Sequence, residues 1–409
     1  MEMTSGNYAA DILVVGAGPA GSAAAFFLAR AGANVLLADK SRFPRDKVCG
    51  DGVSSVALPV LERMGLADWV SSGRFLEPRE FLLCAPNGQF VTGRPPPLDD
   101  TSYGYTIPRR ILDEALFQQA VAAGARPLEG SRVLRRIGRE DGRSLLAAKR
   151  DSQEITLSAR LVIAADGAPG GFTRSLGLIR RQPEMVACRV YYEGVTNSPD
   201  RLDLYYDRAV TPGYVWIFPL GGGRVNVGLG IYVRRTKQDG LGLAATLERF
   251  IATNPLARER LGRAKRITPI QGYPLRARWD GTVPVTDGVL VAGEAAGLVS
   301  PLTGEGIGPA LQSGEMAARH ALRALETGDV SAASLAPYAR AVRRRWDGEH
   351  RAARLIRALI RRPALVNRVV RQMQRSPTFT LLVGYIIIGV HSPTTAFRPR
   401  VIAHVLFPP

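Results

Sequence analysis

The sequence predicts an α/β chain. A Rossmann-type dinucleotide-binding domain is assembled from discontinuous segments, joined by a mixed, largely antiparallel second sheet and followed by a C-terminal helical region. Three observations predict this. Asp11–Lys40 reads as a strand, a glycine-rich turn, a helix and a second strand. A further buried strand, Leu161–Gly167, ends in an acid and a glycine. Between Met185 and Val233 short apolar segments alternate with turn formers, the pattern of hairpin-connected strands.

The first unit carries the clearest chemistry. An apolar run, Ile12–Val15, meets Gly16-x-Gly18-x-x-Gly21, then a helix of small residues, Ser22–Ala31, and a second apolar run, Val35–Ala38, ending at Asp39-Lys40. Gly16 permits the tight turn, Gly18 lets backbone approach a pyrophosphate, and Gly21 lets helix and strand pack closely. The helix N-terminus, near Ala20, offers free N–H groups and a positive dipole end to phosphates. Asp39 sits where a carboxylate accepts from ribose hydroxyls.

Next comes a turn-rich loop, Phe43–Gly52, read as a cover over the cofactor turn, and a helical run through Met64. Phe81–Thr92 reads as a strand pair about Pro86-Asn87-Gly88, and Pro95–Pro97 as a stiff connector. Ile107–Ala123 reads as a helix entered after Pro108, and Arg126–Ala148 as two short strands. Met185–Tyr192, Arg201–Tyr206, Tyr214–Pro219 and Arg224–Val233 form the second sheet, followed by a helix over Leu241–Thr253. The chain returns through a strand, Gly288–Ala292, to a glycine-rich segment and a helix with small residues on one face. From Ala332 onward it is helical and basic. Leu381–Val390 is strongly apolar but about half the roughly 20 residues a bilayer span needs.

Composition narrows the function classes. The 409 residues hold two or three domains on a prior of roughly 100–200 residues each. Three cysteines and four scattered histidines supply neither a disulfide framework nor a metal site. No basic region followed by an apolar stretch opens the chain, so the expectation is a cytoplasmic protein without a signal peptide. The net charge of +18 is concentrated late, in arginines from Arg340 to Arg375. No nucleic-acid motif accompanies them. Interleaved apolar residues such as Leu355, Leu359, Val366 and Val370 instead suggest helices lying on an anionic membrane, at the inner face of the cell membrane.

Several motifs together resemble a known family. The first unit, Asp166-Gly167 after its strand, and Gly293-Glu294-Ala295-Ala296-Gly297 resemble FAD-dependent oxidoreductases of the hydroxylase-like fold. Lys47-Val-Cys49-Gly50-Asp51-Gly52, Tyr214-Val-Trp216-Ile-Phe218-Pro219 and Asn226-Val-Gly228-Leu-Gly230 look like the geranylgeranyl reductase family within that group. The similarity covers about residues 10–320. In two places the chain departs from the pattern. Pro212 stands two residues before Tyr214 rather than three, and the usual Gly-Asp of the third flavin motif is Gly293-Glu294. The carboxylate remains, one methylene longer. The cysteine loop looks more like the bacterial and archaeal branches, which reduce lipid prenyl chains or menaquinone side chains, than the chlorophyll-pathway branch.

The resemblance implies an FAD domain over 8–80, 104–178 and 282–328, a substrate domain over 81–103 and 179–281, and a C-terminal region over 329–409. It implies that reduced FAD saturates isolated C=C bonds of a polyprenyl chain in a lipid, diphosphate or quinone. The electron donor stays open among ferredoxin, reduced flavin and NAD(P)H. FAD contacts are expected from Gly16, Gly18, Ala20, Gly21, Asp39, Lys40, Lys47, Cys49, Gly50, Arg109, Asp166, Gly167, Gly293, Glu294, Gly304, Gly306 and Ile307. Arg109 is either such a contact or a surface helix arginine, and Asp166 either lies near the flavin or caps a turn. Tyr214, Trp216 and Phe218 alternate along a strand, so they share one face and suit the wall of an apolar pocket. Their π faces also suit a cationic transition state. Tyr214, Trp216 and Cys49 are the catalytic candidates, with Lys47 expected to lower the Cys49 thiol pKa. Cys84 and Cys188 read as buried apolar residues.

Three other functions fit the same scaffold in part. A flavin monooxygenase shares the Asp166-Gly167 motif. Halogenases carry Trp-x-Trp-x-Ile-Pro where this chain has Tyr214 and Phe218, which counts against them. An electron-transfer flavoprotein would require an iron–sulfur cysteine cluster, which three dispersed cysteines do not supply.

Overall fold

The computed structural model describes residues 7–96, 102–196, 200–233 and 242–406. Pro97 and Leu241, ends of two expected elements, lie outside these. The first sheet runs in the order Val285–Thr286, Val289–Val291, Gln153–Ala164, Asn7–Val15, Val35–Ala38 and Arg126–Leu128. Its four inner pairings are parallel, with Ile12 beside Val35 and Val15 beside both Ala38 and Ala164. Strands buried on both faces read as unbroken apolar runs, which is why Ile12–Val15 and Leu161–Ala164 show no alternation. Ser131–Glu140 and Arg143–Arg150 extend the sheet as an antiparallel ribbon, both longer than the sequence suggested.

The first helix is Pro19–Arg30, starting three residues before the expected Ser22. Pro19 occupies its first turn, where a missing N–H costs nothing. The small-residue face of Ile307–Thr327 lies against it so closely that a Cβ on Gly314 would strike the Ala20 carbonyl.

The second sheet runs Lys265–Arg266, Met185–Glu193, Arg224–Tyr232, Tyr214–Gly221, Arg201–Tyr205, Glu80–Cys84 and Phe90–Gly93, with Gln271–Leu275 also on Met185–Glu193. Only Arg201–Tyr205 and Glu80–Cys84 pair in parallel. One face, with Val190, Val215, Ile217, Val227 and Leu229, is sealed by Leu247 and Phe250 of the helix Leu243–Thr253. The other face carries Ala187, Leu204 and Trp216 toward the first sheet.

The C-terminal helices Ala332–Ile360, Pro363–Arg375, Pro377–Ile387 and Pro399–Leu406 pack on both sheets. The Tyr338 hydroxyl donates to the Val291 carbonyl at 2.8 Å. Val366, Val370, Met373 and Phe379 close over Phe81 and Leu83. The apolar stretch Leu381–Val390 thus has protein neighbours: Gly384 lies against the Phe81 ring. Among the described residues no helix is long and apolar enough to cross a membrane.

Candidate active site

A cavity of about 1090 Å³ runs between the two sheets. At one end it is lined by Gly16, Gly18, Ala20, Asp39 and Lys40, and at the other by Phe81, Leu204, Tyr206, Tyr214 and Trp216. Single small-molecule pockets span roughly 300–1,000 Å³, so this volume suits a dinucleotide together with a second, apolar ligand.

The glycine cradle is shaped by backbone sterics. Gly16 has φ +96°, and a Cβ there would lie 2.5 Å from the Ala165 carbonyl oxygen. Gly21 does not line the cavity. It lets the helix sit on the turn, since a Cβ would run into the Gly16 carbonyl. Gly293 likewise gives shape rather than surface, with φ +65° and the Ala20 methyl 2.6 Å from where its Cβ would be. Asp39 accepts the Ala17 N–H at 2.7 Å and the Ser41 N–H at 2.8 Å, one on each oxygen, leaving a lone pair on each for a ligand hydroxyl.

The loop over the cradle is pinned by ion pairs from three successive residues to three elements. Arg45 reaches Asp113 at 2.8 Å, Asp46 reaches Arg189 at 2.7 Å, and Lys47 reaches Glu294 at 2.7 Å. The Lys47 charge is therefore committed to Glu294, not to Cys49 as the sequence suggested. Arg109 and Cys49 line the same cavity. Arg109 is buried at the start of the helix Arg109–Ala122, lines the cavity, and grips Asp113 through two 2.7 Å bonds, so it is no surface arginine. Burial works against the Asp113 charge, yet Arg109, then Arg45 and Lys47, hold the carboxyl below its ordinary value.

Asp166 caps a turn at the cavity wall. It borders the cavity while accepting the Phe172 and Thr173 N–H groups and the Thr173 hydroxyl, and burial raises its pKa. Gly167, Gly304, Gly306 and Ile307 line the same cavity, the last two at the start of the helix Ile307–Thr327. Cys84 and Cys188 are buried away from it, with pKa values pushed up by burial to about 11 and about 12.

The aromatic strand faces inward. Tyr214, Trp216 and Phe218 all line the cavity, with successive ring centroids 6.0 and 6.3 Å apart. The Tyr214 hydroxyl donates to the Thr303 carbonyl, and the Trp216 indole N–H to the Asn226 side-chain oxygen at 2.9 Å. Ile387 and Ile388, from the tail, complete the apolar end.

Sequence reasoning missed two carboxyls, one buried and one half-buried. Asp51, fully buried and in the left-handed region at φ +63°, accepts from the Tyr191 hydroxyl at 2.7 Å and the Asn226 amide at 2.8 Å. Burial pushes its pKa up to about 6, against the pull of Tyr191, Asn226 and Arg189. Glu305, in the segment read as a backbone cradle, accepts from the Ser54 hydroxyl, and burial raises its pKa too. A charged residue flanked by turn glycines, as Asp51 and Glu305 both are, was the only available signal.

A Gly-x-Gly-x-x-Gly turn, an acid at the second strand tip and a glycine-led helix closing the cradle define a dinucleotide-binding protein of the flavoprotein type. One further atom fits FAD: the Glu294 Oε1, buried and without a partner among the described residues, is an acceptor available to a ligand hydroxyl at the cavity wall. A family model for FAD-binding domains matches residues 9–348. The menaquinone reductase of Mycobacterium tuberculosis is 34% identical over 324 residues, 76% of each chain. Digeranylgeranylglycerophospholipid reductase 2 of Methanopyrus kandleri is 34% identical over 349 residues, 83% of this chain and 82% of that one. The crystal structure of a geranylgeranyl bacteriochlorophyll reductase-like protein from Thermoplasma acidophilum superposes with a TM-score of 0.81 at 25% identity, covering 96% of this chain and 99% of that one. The chain belongs to the FAD-binding-domain family of oxidoreductases, and its cofactor is FAD.

Proposed function

We propose that the protein is an FAD-dependent reductase that saturates isolated C=C bonds in the polyprenyl chain of a lipid or quinone. The observation that carries this is the wall of three aromatics on the same cavity as the glycine cradle. The names of the relatives, which act on menaquinone and on digeranylgeranylglycerophospholipid, support the substrate class.

An isolated trisubstituted alkene has no carbonyl to absorb charge, so its reduction needs a proton, a hydride and a dry site. Reduced FAD supplies the hydride when bound. The chain's residues hold the alkene, exclude water and deliver the proton. Tyr214, Trp216, Leu204, Tyr206 and Ile387 supply apolar and aromatic surface that orients a prenyl chain and keeps water from cationic character. The rings stabilise that character through their π faces. Of the three catalytic candidates, Tyr214 and Trp216 spend their polar hydrogens on Thr303 and Asn226. Cys49 is left as the proton donor of the three.

The basic tail is proposed to rest on an anionic membrane from which such a substrate is drawn. Leu355 and Leu359 are 58% and 45% exposed and share a face of the helix Ala332–Ile360 with the exposed Arg351, while exposed Arg362 follows its end. The localisation that goes with it is the inner face of the cell membrane.

A monooxygenase on an apolar substrate is the competing function. Mass spectrometry of lipids and quinones from cells with and without the chain separates the two. The reductase adds two hydrogens per saturated bond, whereas a monooxygenase adds oxygen derived from O2. Identical lipid and quinone profiles would overturn the proposal.

A further inference from the structure

The motif Asn226-Val-Gly228-Leu-Gly230 enters the mechanism above only as the acceptor of the Trp216 N–H, yet it lies on the strand beside the aromatic wall. The pairing is residue for residue. Tyr214 is opposite Gly230, Trp216 opposite Gly228, and Phe218 opposite Asn226. A Cβ at Gly228 would strike the Trp216 indole and the Cys188 carbonyl, so only glycine leaves room for the ring there. From the other side, a Cβ on Gly50 would lie 3.5 Å from the Trp216 Nε1 and 3.4 Å from the Phe218 ring. The indole is held between the Gly228 backbone and the loop that carries Cys49.

Asn226 ties these parts together. It is fully buried, and its amide has every N–H committed. Nδ2 donates to the Cys49 carbonyl at 2.7 Å and to the Asp51 Oδ2 at 2.8 Å, while Oδ1 accepts the Trp216 indole N–H at 2.9 Å. The opposite amide orientation would set two acceptors against Oδ1 and an N–H against an N–H, so the partners fix which way the amide points. Asp51 is itself oriented by the Tyr191 hydroxyl at 2.7 Å and the Arg109 backbone N–H at 3.3 Å, with the Arg189 guanidinium nearby. Neither Asn226 nor Asp51 lines the cavity, so neither touches a ligand in it.

We infer that Asn226 is a positioning residue that locks the Trp216 ring and the Cys49 loop in one fixed relation, with Asp51 holding its amide in the required orientation. The lock sets how far the candidate proton donor stands from the aromatic wall. Its importance to turnover rests on the reductase proposal. The lock itself does not.

The test is a double-mutant cycle on the FAD-loaded protein, using Asn226→Leu, Trp216→Phe and the pair. The first readout is the Trp216 share of tryptophan emission, taken as the difference between each protein and its Trp216→Phe counterpart. Its quenching by acrylamide is expected to rise at least about twofold in Asn226→Leu, because the indole loses its acceptor. The second readout is dithionite-driven saturation of the side chain of menaquinone, weighed after the quinol head is reoxidised. Asn226→Leu is expected to lose about tenfold in kcat with KM little changed. The double variant should fall no more than about twofold below Trp216→Phe alone, because both changes remove one unit. Unchanged Trp216 quenching, or losses that multiply, would overturn the inference. If Asn226→Leu does not fold, Asn226→Ser is carried through the same measurements. If the wild-type protein reduces no prenyl chain, the reductase proposal falls and the quenching arm alone decides the inference.

Discussion

Replacing Asp51 by asparagine should change how stability depends on pH, in a direction and by an amount that follow from its burial. The carboxyl value moves from 3.8 to about 6 on folding, so the folded state holds this proton more tightly than the unfolded chain. A raised folded value gives stabilisation that is fully present below 3.8 and is lost as pH rises through about 6. Between about pH 4.5 and about pH 7 the lost part comes to about 2 kcal/mol, taking 1.36 kcal/mol per pKa unit. Asparagine has no such proton. The stability of Asp51→Asn relative to wild type should therefore move in the variant's favour by about 2 kcal/mol across that window. The amide's own altered hydrogen bonds to Tyr191 and Asn226 add an offset that is the same at both pH values and cancels. Urea unfolding of both FAD-loaded proteins at the two pH values measures the quantity. A difference that stays flat, or one that favours wild type at the higher pH, would refute the assignment of Asp51 as a buried, proton-holding carboxyl.

Three further outcomes are expected. Gly21→Ala drives a methyl group into the Gly16 carbonyl, so the purified protein should lose at least about tenfold in FAD affinity, read by flavin titration of the apoprotein; unchanged affinity would contradict the cradle geometry. Ile387→Trp adds bulk at the apolar end of the cavity, so FAD content should hold while KM for a long prenyl substrate rises severalfold; an unchanged KM would remove the tail from the substrate wall. Leu355→Glu with Leu359→Glu should lower co-sedimentation with anionic vesicles while leaving FAD content unchanged, and equal sedimentation would end the membrane role of that face. Point changes suit this test better than removing the tail, because its helices also cover Phe81 and line the cavity.

What was legible in the sequence was local. The turn from Gly16 to Gly21, the acid at position 39 and the alternation of Tyr214, Trp216 and Phe218 are patterns a few residues long, and backbone geometry converts them directly into a cradle and a wall. The contacts that organise the site span the chain instead. Lys47 meets Glu294 across 247 residues, and Asn226 meets Asp51 across 175. No periodicity encodes such pairs, so Lys47 was matched to its sequence neighbour Cys49, while its partner is Glu294. The neighbours of the tail's apolar run were illegible for a similar reason. An apolar run of about ten residues at Leu381–Val390 looks the same whether it covers a core or meets lipid. The Phe81 ring and the cavity beneath it are what it covers here.

The proposed reductase places a reduced flavin and a prenyl alkene in one dry cavity against the Tyr214–Phe218 wall. The most direct test incubates the dithionite-reduced, FAD-loaded protein under argon with menaquinone carrying an unsaturated side chain, reoxidises the quinol head with ferricyanide, and weighs the recovered quinone. A product heavier by two hydrogens per saturated bond, formed without O2, is the expected result. A quinone recovered unchanged from that mixture, but oxygenated once O2 is admitted, would contradict it.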